Sequence, residues 1–393
     1  MDTMKNTTDV VKLFTLAKLS GTYVKVCAPM VRYSKVQFRT LVKIYGVDLC
    51  YTPMVMADSF CQNSKARHNE FLTTSNDTPL IVQFAANNTN DFIDASKLVY
   101  PYADGVDLNC GCPQKWAMKD GYGCSLLSKP EIIYDLVKGI RNALPSNFCI
   151  SVKIRILKEL DKTITMCQQM EKCGVSFLTV HGRTPSQKSS GTVDTAALQD
   201  VCKSINIPMV ANGGVKTLVD ADEMYEQVQC NGVMAASGLL TNPALFSGAT
   251  RTPMSCVKLW MDIKNQSKDN ISFQCYHHHL VFMLEKYLTR EQKQVFNHLS
   301  TFETVDSYLY KNIFHNFNET FIDSFCLDKF VECEYPDEII LKHIGKCRGC
   351  GKSTHYCICK MYSSNDTDGN YFKSCVNNCD DIDYMDSSLF NEI

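Results

Sequence analysis

From about residue 22 to 250 the chain alternates two kinds of segment. Eight short runs are almost continuously apolar and rich in Val, Ile, Leu and Cys: Val24–Ala28, Leu49–Tyr51, Leu80–Ala85, Gly105–Leu108, Phe148–Ile154, Phe177–Val180, Pro208–Ala211 and Gly232–Ala235. Runs without period-two alternation suit parallel strands buried on both faces. Between them lie stretches of helical length: Lys35–Tyr45, Asn90–Val99, Pro130–Asn142, Lys162–Lys172, Asp194–Ser204, Thr217–Glu226 and Pro243–Gly248. After the second run, Ala57–Phe71 is less clearly periodic. Pro130 and Pro243 suit a first helical turn, and Gly46 and Gly174 suit the end of one.

Eight strands, each followed by a helix-like stretch, predict an α/β fold: a (β/α)8 TIM barrel over residues 20–250. The alternative, a doubly wound sheet, normally carries a glycine-rich turn after its first strand. Here that strand runs out into Cys27-Ala28-Pro29-Met30 instead. Residues 251–325 lose the strand signal and read as amphipathic helices, Met254–Asn265, Ser272–Leu288, Glu291–Leu299 and Thr301–Phe314. They form a C-terminal helical domain. Residues 326–393 make a polar, Asn- and Asp-rich tail with many cysteines.

Composition narrows the setting. At 45% hydrophobic and 21% charged, the chain has the make-up of an ordinary folded protein. No run of about 18 apolar residues occurs, so no membrane span is expected. The polar first ten residues lack the features of a signal or transit peptide, which points to cytosol or nucleus. Without a secretion signal, the 21 cysteines read as free thiols in a reducing compartment, not as a disulfide framework. The net charge of −2 argues against a uniformly basic nucleic-acid binder. Residues 329–393 alone carry −4, however, leaving +2 on the rest, where a local basic patch has room.

A barrel of this kind places its chemistry at the C-terminal ends of its strands. The polar residues that interrupt the apolar runs fall there: Gln83, Asn109 with Cys112 just beyond, Lys153, His181, Asn212-Gly213-Gly214 and Ser237-Gly238. Each alone suits a turn cap, a solvated strand end or a satisfied core position. Together on one rim they suggest a bound polar ligand, since each unpartnered buried polar group costs up to a few kcal/mol. The glycines after the seventh and eighth runs let backbone N–H groups approach a phosphate, the usual phosphate site of this fold. Lys153 and Gln83 deeper in then suit a phosphorylated ring such as FMN. Arg155 and Arg183, next to these positions, are candidates for contacts to a substrate base or phosphate, or for surface ion pairs.

The motifs resemble those of one family. Val26-Cys27-Ala28-Pro29-Met30-Val31 looks like its first-strand motif. Asp107-Leu108-Asn109-Cys110-Gly111-Cys112-Pro113, with Lys119-Asp120-Gly121-Tyr122-Gly123-Cys124-Ser125-Leu126-Leu127, resembles its catalytic loop. Val152-Lys153-Ile154-Arg155, Thr179-Val180-His181-Gly182-Arg183-Thr184, Ala211-Asn212-Gly213-Gly214 and Met234-Ala235-Ala236-Ser237-Gly238-Leu239-Leu240 complete the set. The family is the tRNA-dihydrouridine synthases. Within it the chain is most similar to the members acting at positions 20a and 20b of the tRNA D-loop. The likeness spans about residues 20–312.

The resemblance implies that Pro29, Met30, Val31, Gln83, Lys153, His181, Asn212, Gly213, Gly214, Ala236 and Ser237 contact FMN, with Asn109 in the same candidate site. It implies NADPH as reductant, tRNA as substrate, and Cys112 as the acid that protonates uracil C5 while hydride arrives at C6. A thiol of ordinary pKa, about 8.5, is still mostly protonated at neutral pH and can donate. Gly111 on one side, and Gly121 with Gly123 on the other, suit hinges for the loop. One position departs from the pattern. Many members carry arginine where this chain has Ser237, which removes a two-pronged phosphate partner unless Arg251 or Lys216 stands in.

No metal is expected at the site. His277-His278-His279 on a helix point about 100° apart and cannot converge on one ion. In the tail, Cys347, Cys350, His355, Cys357 and Cys359 have zinc-like spacing, while the surrounding acidic, Asn-rich sequence equally suits disorder. Two rival readings remain open. One is an FMN barrel reductase of a small molecule; the other is a catalytically silent RNA-binding protein on the same fold.

Overall fold

The structure, a computed structural model, describes residues 8–316 and 325–343. The apolar runs become strands β1 (Val24–Cys27), β2 (Leu49–Tyr51), β3 (Val55–Met56), β4 (Leu80–Ala85), β5 (Gly105–Cys110), β6 (Cys149–Arg155), β7 (Phe177–His181), β8 (Met209–Asn212) and β9 (Gly232–Ala235). Every pairing is parallel, and β2 bonds both β1 and β4, so eight strands close into a ring. β3 is a two-residue strand that the apolar pattern did not signal; it pairs with the end of β4. β5 and β6 run two residues and one residue past their apolar cores. Asn109 and Lys153 therefore lie inside the barrel wall, and Arg155 ends its strand.

Most of the expected helices form within a residue or two of their predicted bounds. Gly46 and Gly174 end two of them with φ of 90° and 94°, a region costly to any residue with a Cβ. Ala57–Phe71 divides into helices Ala57–Gln62 and Ser64–Glu70 at Asn63, whose side chain accepts the Lys65 N–H at 2.9 Å and caps the second. The helix expected at Pro243–Gly248 is instead a five-residue helix, Ser237–Thr241, followed by a 3-10 turn, Leu245–Ser247. Pro243 ends the first piece because a proline forces its predecessor out of the helical region, and Asn242 is extended in ψ.

An additional helix, Val10–Leu19, lies across the foot of the barrel. Asp9 caps it by accepting from the Lys12 N–H at 3.0 Å. Phe14 is buried, its ring 5.0 Å from that of Phe177 at the start of β7. A Cβ on Gly232, at the start of β9, would stand 3.2 Å from the Phe14 ring. The plug and the strand starts thus share one apolar layer.

After the barrel come helices Met254–Ser267, Phe273–Met283, Arg290–Asn297 and Phe302–Asn312. They dock on barrel helix Val36–Ile44 through stacked and edge-on rings: Phe38 lies 4.4 Å from His279, and His279 lies 4.7 Å from Trp260. The three consecutive histidines serve three partners. His277 donates to the Phe296 carbonyl, His278 faces the Tyr33 hydroxyl and His279 donates to the Tyr33 carbonyl.

Residues 325–343, expected to begin the tail, return to the barrel as a strap. Phe330 bridges Thr74, and Asn76 Nδ2 donates to Asp328 at 2.8 Å. Tyr335 packs on Phe60 and Tyr102 beneath the Arg67 guanidinium. Helix Asp337–Lys342 buries Ile339, and His343 Nε2 lies 2.9 Å from Asp94. The tail cysteines with zinc-like spacing lie outside the described residues. Among the described residues no helix is long and apolar enough to cross a membrane.

Candidate active site

Parallel register gathers the polar residues. Gln83 pairs with Asp107, Asn109 with Lys153, Arg155 with His181, and His181 with Asn212. Partners in register share a face of the sheet, so these seven strand-borne polar side chains meet at one end of the barrel. Gln83, Asn109, Lys153, Arg155, His181, Arg183 and Asn212 are all buried.

Cations dominate this mouth. Burial lowers the Lys153 pKa from 10.5 to about 8, Arg155 adds to the drop, and Asp107 opposes it. Arg183 Nη1 lies 3.2 Å from His181 Nε2. A guanidinium cannot accept, so Nε2 is the acceptor and the ring is neutral with its proton on Nδ1. Burial, Lys153, Arg155 and Arg183 push the imidazole in the same direction, far below its ordinary pKa. Asp107 is the buried carboxylate among these groups; desolvation raises it to about 7, against hydrogen bonds from Ser151 and Gln83 and the charge of Lys153.

Cys112 sits half-buried on the loop after β5, whereas Cys110 and Cys124 on either side are buried. Asn109 Oδ1 accepts the N–H groups of Gly111 (3.2 Å) and Cys112 (3.0 Å), a turn that gives the loop its first fixed point. Farther on, the Cys112 carbonyl accepts the Cys124 N–H at 2.9 Å. Gly123, at φ 60°, allows this closure: a Cβ there would stand 2.5 Å from the Cys112 carbonyl oxygen. Gly121 is also left-handed, at 83°. Gly111 has no positive φ, and a Cβ on it would meet nothing nearer than 3.5 Å. Special backbone geometry therefore belongs to Gly121 and Gly123 rather than to Gly111.

Arg155 and Arg183 hold loops together. Arg155 donates to the carbonyls of Gly111 (3.0 Å), Thr184 (3.2 Å) and Gln187 (3.4 Å), tying the Cys112 loop to the loop after β7. Arg183 Nε donates to the Gly191 carbonyl at 2.7 Å. Where the sequence suggests substrate contacts or surface pairs for both, the structure gives each a scaffolding task.

On the other side of the mouth, Asn212 Nδ2 donates to the Met234 carbonyl at 3.0 Å and aligns the ends of β8 and β9. Gly213 follows at φ 123°, where a Cβ would meet the His181 ring at 2.8 Å. Gly214 is exposed at φ 78°. Ala236 is half-buried, and Ser237 is exposed as the first residue of its short helix. β1 adjoins β9, which brings Pro29 and Met30, both buried, and Val31, 47% exposed, to this side. Of the two cations suggested to replace an arginine at 237, Arg251 lies over the Tyr287 ring at 4.9 Å, and Lys216 is exposed two residues past Gly214.

Sequence reasoning missed three residues here. Asp107 and Ser151 are buried inside the wall, where a single polar residue in an apolar run gives little signal. Arg32, directly after the Pro29–Val31 turn, holds φ 72° without being glycine. Nothing in its sequence context announces that conformation.

A closed parallel barrel whose mouth joins buried cations, left-handed glycines and a half-buried thiol has the make-up of an α/β-barrel enzyme. Residues 26–321 match the family model described as dihydrouridine synthase (Dus), and the chain belongs to that family, one of oxidoreductases. A Mus musculus protein named tRNA-dihydrouridine(20a/20b) synthase, NAD(P)+-like, is 49% identical over 74% of this chain and 89% of its own length. The Homo sapiens protein of the same name is 47% identical over 74% and 91%. A Schizosaccharomyces pombe tRNA-dihydrouridine(20a/20b) synthase is 42% identical over 72% and 86%. Among solved structures, an old yellow enzyme homologue from Zymomonas mobilis aligns with a TM-score of 0.42 and 10% identity, over 56% of this chain and 86% of that one.

Proposed function

We propose that this protein is a tRNA-dihydrouridine synthase that uses FMN and NADPH to reduce the uracil 5,6-double bond of D-loop residues at positions 20a and 20b. The observation that carries the reading is the placement of Cys112: a half-buried thiol held by Asn109 and Arg155 at the rim of a cation-lined barrel mouth. Family membership implies flavin use and an NAD(P)H reductant.

The residues present fit FMN. Lys153, Arg155 and Arg183 are buried at the mouth, a setting that suits an anionic ligand. A side chain at Gly213 would collide with His181, so that corner is kept open for close approach to backbone. Gly213, Gly214, Ala236 and Ser237 would hold the phosphate. Lys153, with Gln83 and Asn109, would face the ring, and Pro29, Met30 and Val31 would flank it. Bound and reduced, the flavin supplies hydride to uracil C6.

The chain does the rest. Cys112 donates the proton to C5 from the rim. Asn109 and Arg155 hold its loop, and the neutral His181 leaves the positive charge to Lys153 and the arginines. The target base must leave its stack to reach the mouth. The helices of residues 254–312 supply the adjoining surface for the tRNA. Purified protein, D-loop tRNA lacking dihydrouridine, and NADPH should yield dihydrouridine on nucleoside analysis. Cys112→Ala should abolish the product while the protein stays yellow, and full activity in that variant would sink the assignment.

A further inference from the structure

One buried chain of hydrogen bonds runs through the barrel wall to the loop that carries Cys112. Asp107, fully buried on β5, accepts from Ser151 Oγ at 2.6 Å on one oxygen and from Gln83 Nε2 at 2.8 Å on the other. Gln83 Oε1 accepts from Asn109 Nδ2 at 2.8 Å. Asn109 Oδ1 then accepts the backbone N–H groups of Gly111 and Cys112.

The order of donors and acceptors along this chain has one sense. In its ionised form the Asp107 carboxyl only accepts, so it takes the NH2 end of the Gln83 amide and turns the carbonyl end toward Asn109. That carbonyl in turn takes the NH2 end of Asn109 and leaves its carbonyl for the loop. Reverse either amide and two donors, or two acceptors, face each other in a buried site, where an unmade hydrogen bond is costly. The sense is held from both ends: Asp107 takes the Gln83 NH2, and the Gly111 and Cys112 N–H groups take the Asn109 carbonyl.

We propose that Asp107 is a positioning residue for the reaction: its carboxylate sets the orientation of Gln83 and Asn109, and through them the place of Cys112. The proposal rests on the function assigned above for its catalytic meaning, but the relay itself is a property of the wall. Asp107 touches neither the thiol nor the loop. It acts across two amides, and its nearness to Lys153 links the same carboxylate to the cation side of the mouth.

The test is native alkylation of the full-length protein with iodoacetamide, read by peptide mapping as separate rates for Cys112 and for Cys202. Cys202 is a half-buried thiol on helix Thr195–Ser204, outside the relay. In Asp107→Leu the acceptor for the Gln83 NH2 is gone, so that amide can turn over and set its NH2 against that of Asn109. Cys112 labelling should then rise about fivefold, the equivalent of one buried hydrogen bond, with Cys202 unchanged. In steady-state assay kcat should fall with KM for tRNA unmoved. Gln83→Glu, which breaks the next link and leaves Asp107 in place, should raise Cys112 labelling likewise; it keeps the test alive if the first variant does not fold. Unchanged Cys112 labelling in both variants, or a parallel rise at Cys202, would overturn the proposal. Labelling needs no turnover. A wild-type protein that makes no dihydrouridine would therefore overturn the function while leaving the relay to be judged on its own.

Discussion

The two ends of the barrel are made by the same eight strands and share almost no chemistry. At the foot, Val24, Phe177 and Gly232 are buried beneath Phe14 of the plugging helix, and the buried Asp104 before β5 accepts from Thr78 Oγ1 and the Leu80 N–H. At the mouth the same strands end in Lys153 and Arg155, His181 and Asn212. The foot gains its stability from apolar burial, which has no directional demand. The mouth spends stability on buried charge and left-handed backbone, the pattern of a functional site. Damage at the foot should therefore read out as unfolding, and damage at the mouth as lost chemistry in a folded protein.

The sharpest test of that division is Cys112→Ala. Dihydrouridine formation should fall at least about a hundredfold, the usual reach of a lost general acid, with no shift in melting temperature. A matching drop in stability would blur the two ends. Phe14→Ala is its counterpart at the foot. Truncating a buried aromatic should cost about 3–5 kcal/mol in denaturant unfolding, with specific activity of the surviving folded protein intact. Selective loss of activity there would break the comparison.

Lys153→Met probes the cost of charge at the mouth. In the flavin-free fold Lys153 titrates near 8, against an ordinary 10.5. Below pH 8 both folded and unfolded chains hold the proton, and the penalty for burying it is present in full. Between 8 and 10.5 the unfolded chain binds more protons, so wild-type stability gains about 3 kcal/mol from this group as pH rises. The Met variant should lack that rise, and equal slopes for the two proteins would mean the ammonium is not disfavoured there. The smallest expected effect is from Ser237→Arg. A guanidinium at this exposed helix start should tighten FMN about fivefold in fluorescence titration, as one charge-assisted contact would. No gain would show that the mouth already neutralises the phosphate without it.

Much of this contrast was legible in the chain. The eight barrel strands appear as mostly apolar runs because both faces of each are covered, and polar mouth residues such as Lys153 and His181 stand out against that background. The foot was harder to see. Val10–Leu19 carries too few residues and too mixed a pattern to announce a plug, and its apolar face has meaning only against Phe177 and Gly232. Asp107 was hidden for another reason. Its importance lies in donor–acceptor direction across three strands, which no spacing along one strand encodes. The strap was missed because its anchors, Phe330 and Tyr335, stand among charged residues without helical or strand periodicity. The short helix at Ser237 ended early at a proline that suited the start of another.

The strap has a consequence for biosynthesis. Asn76 and Asp328 are 252 residues apart in sequence yet hydrogen-bonded. A nascent chain carries the aromatic surface at Phe60 and Tyr102 uncovered until Tyr335 has cleared the ribosome. That wall of the barrel is among the earliest to be made and the last to be finished. A chain cut before residue 325 should leave the Phe60 and Tyr102 faces that Tyr335 covers open to solvent.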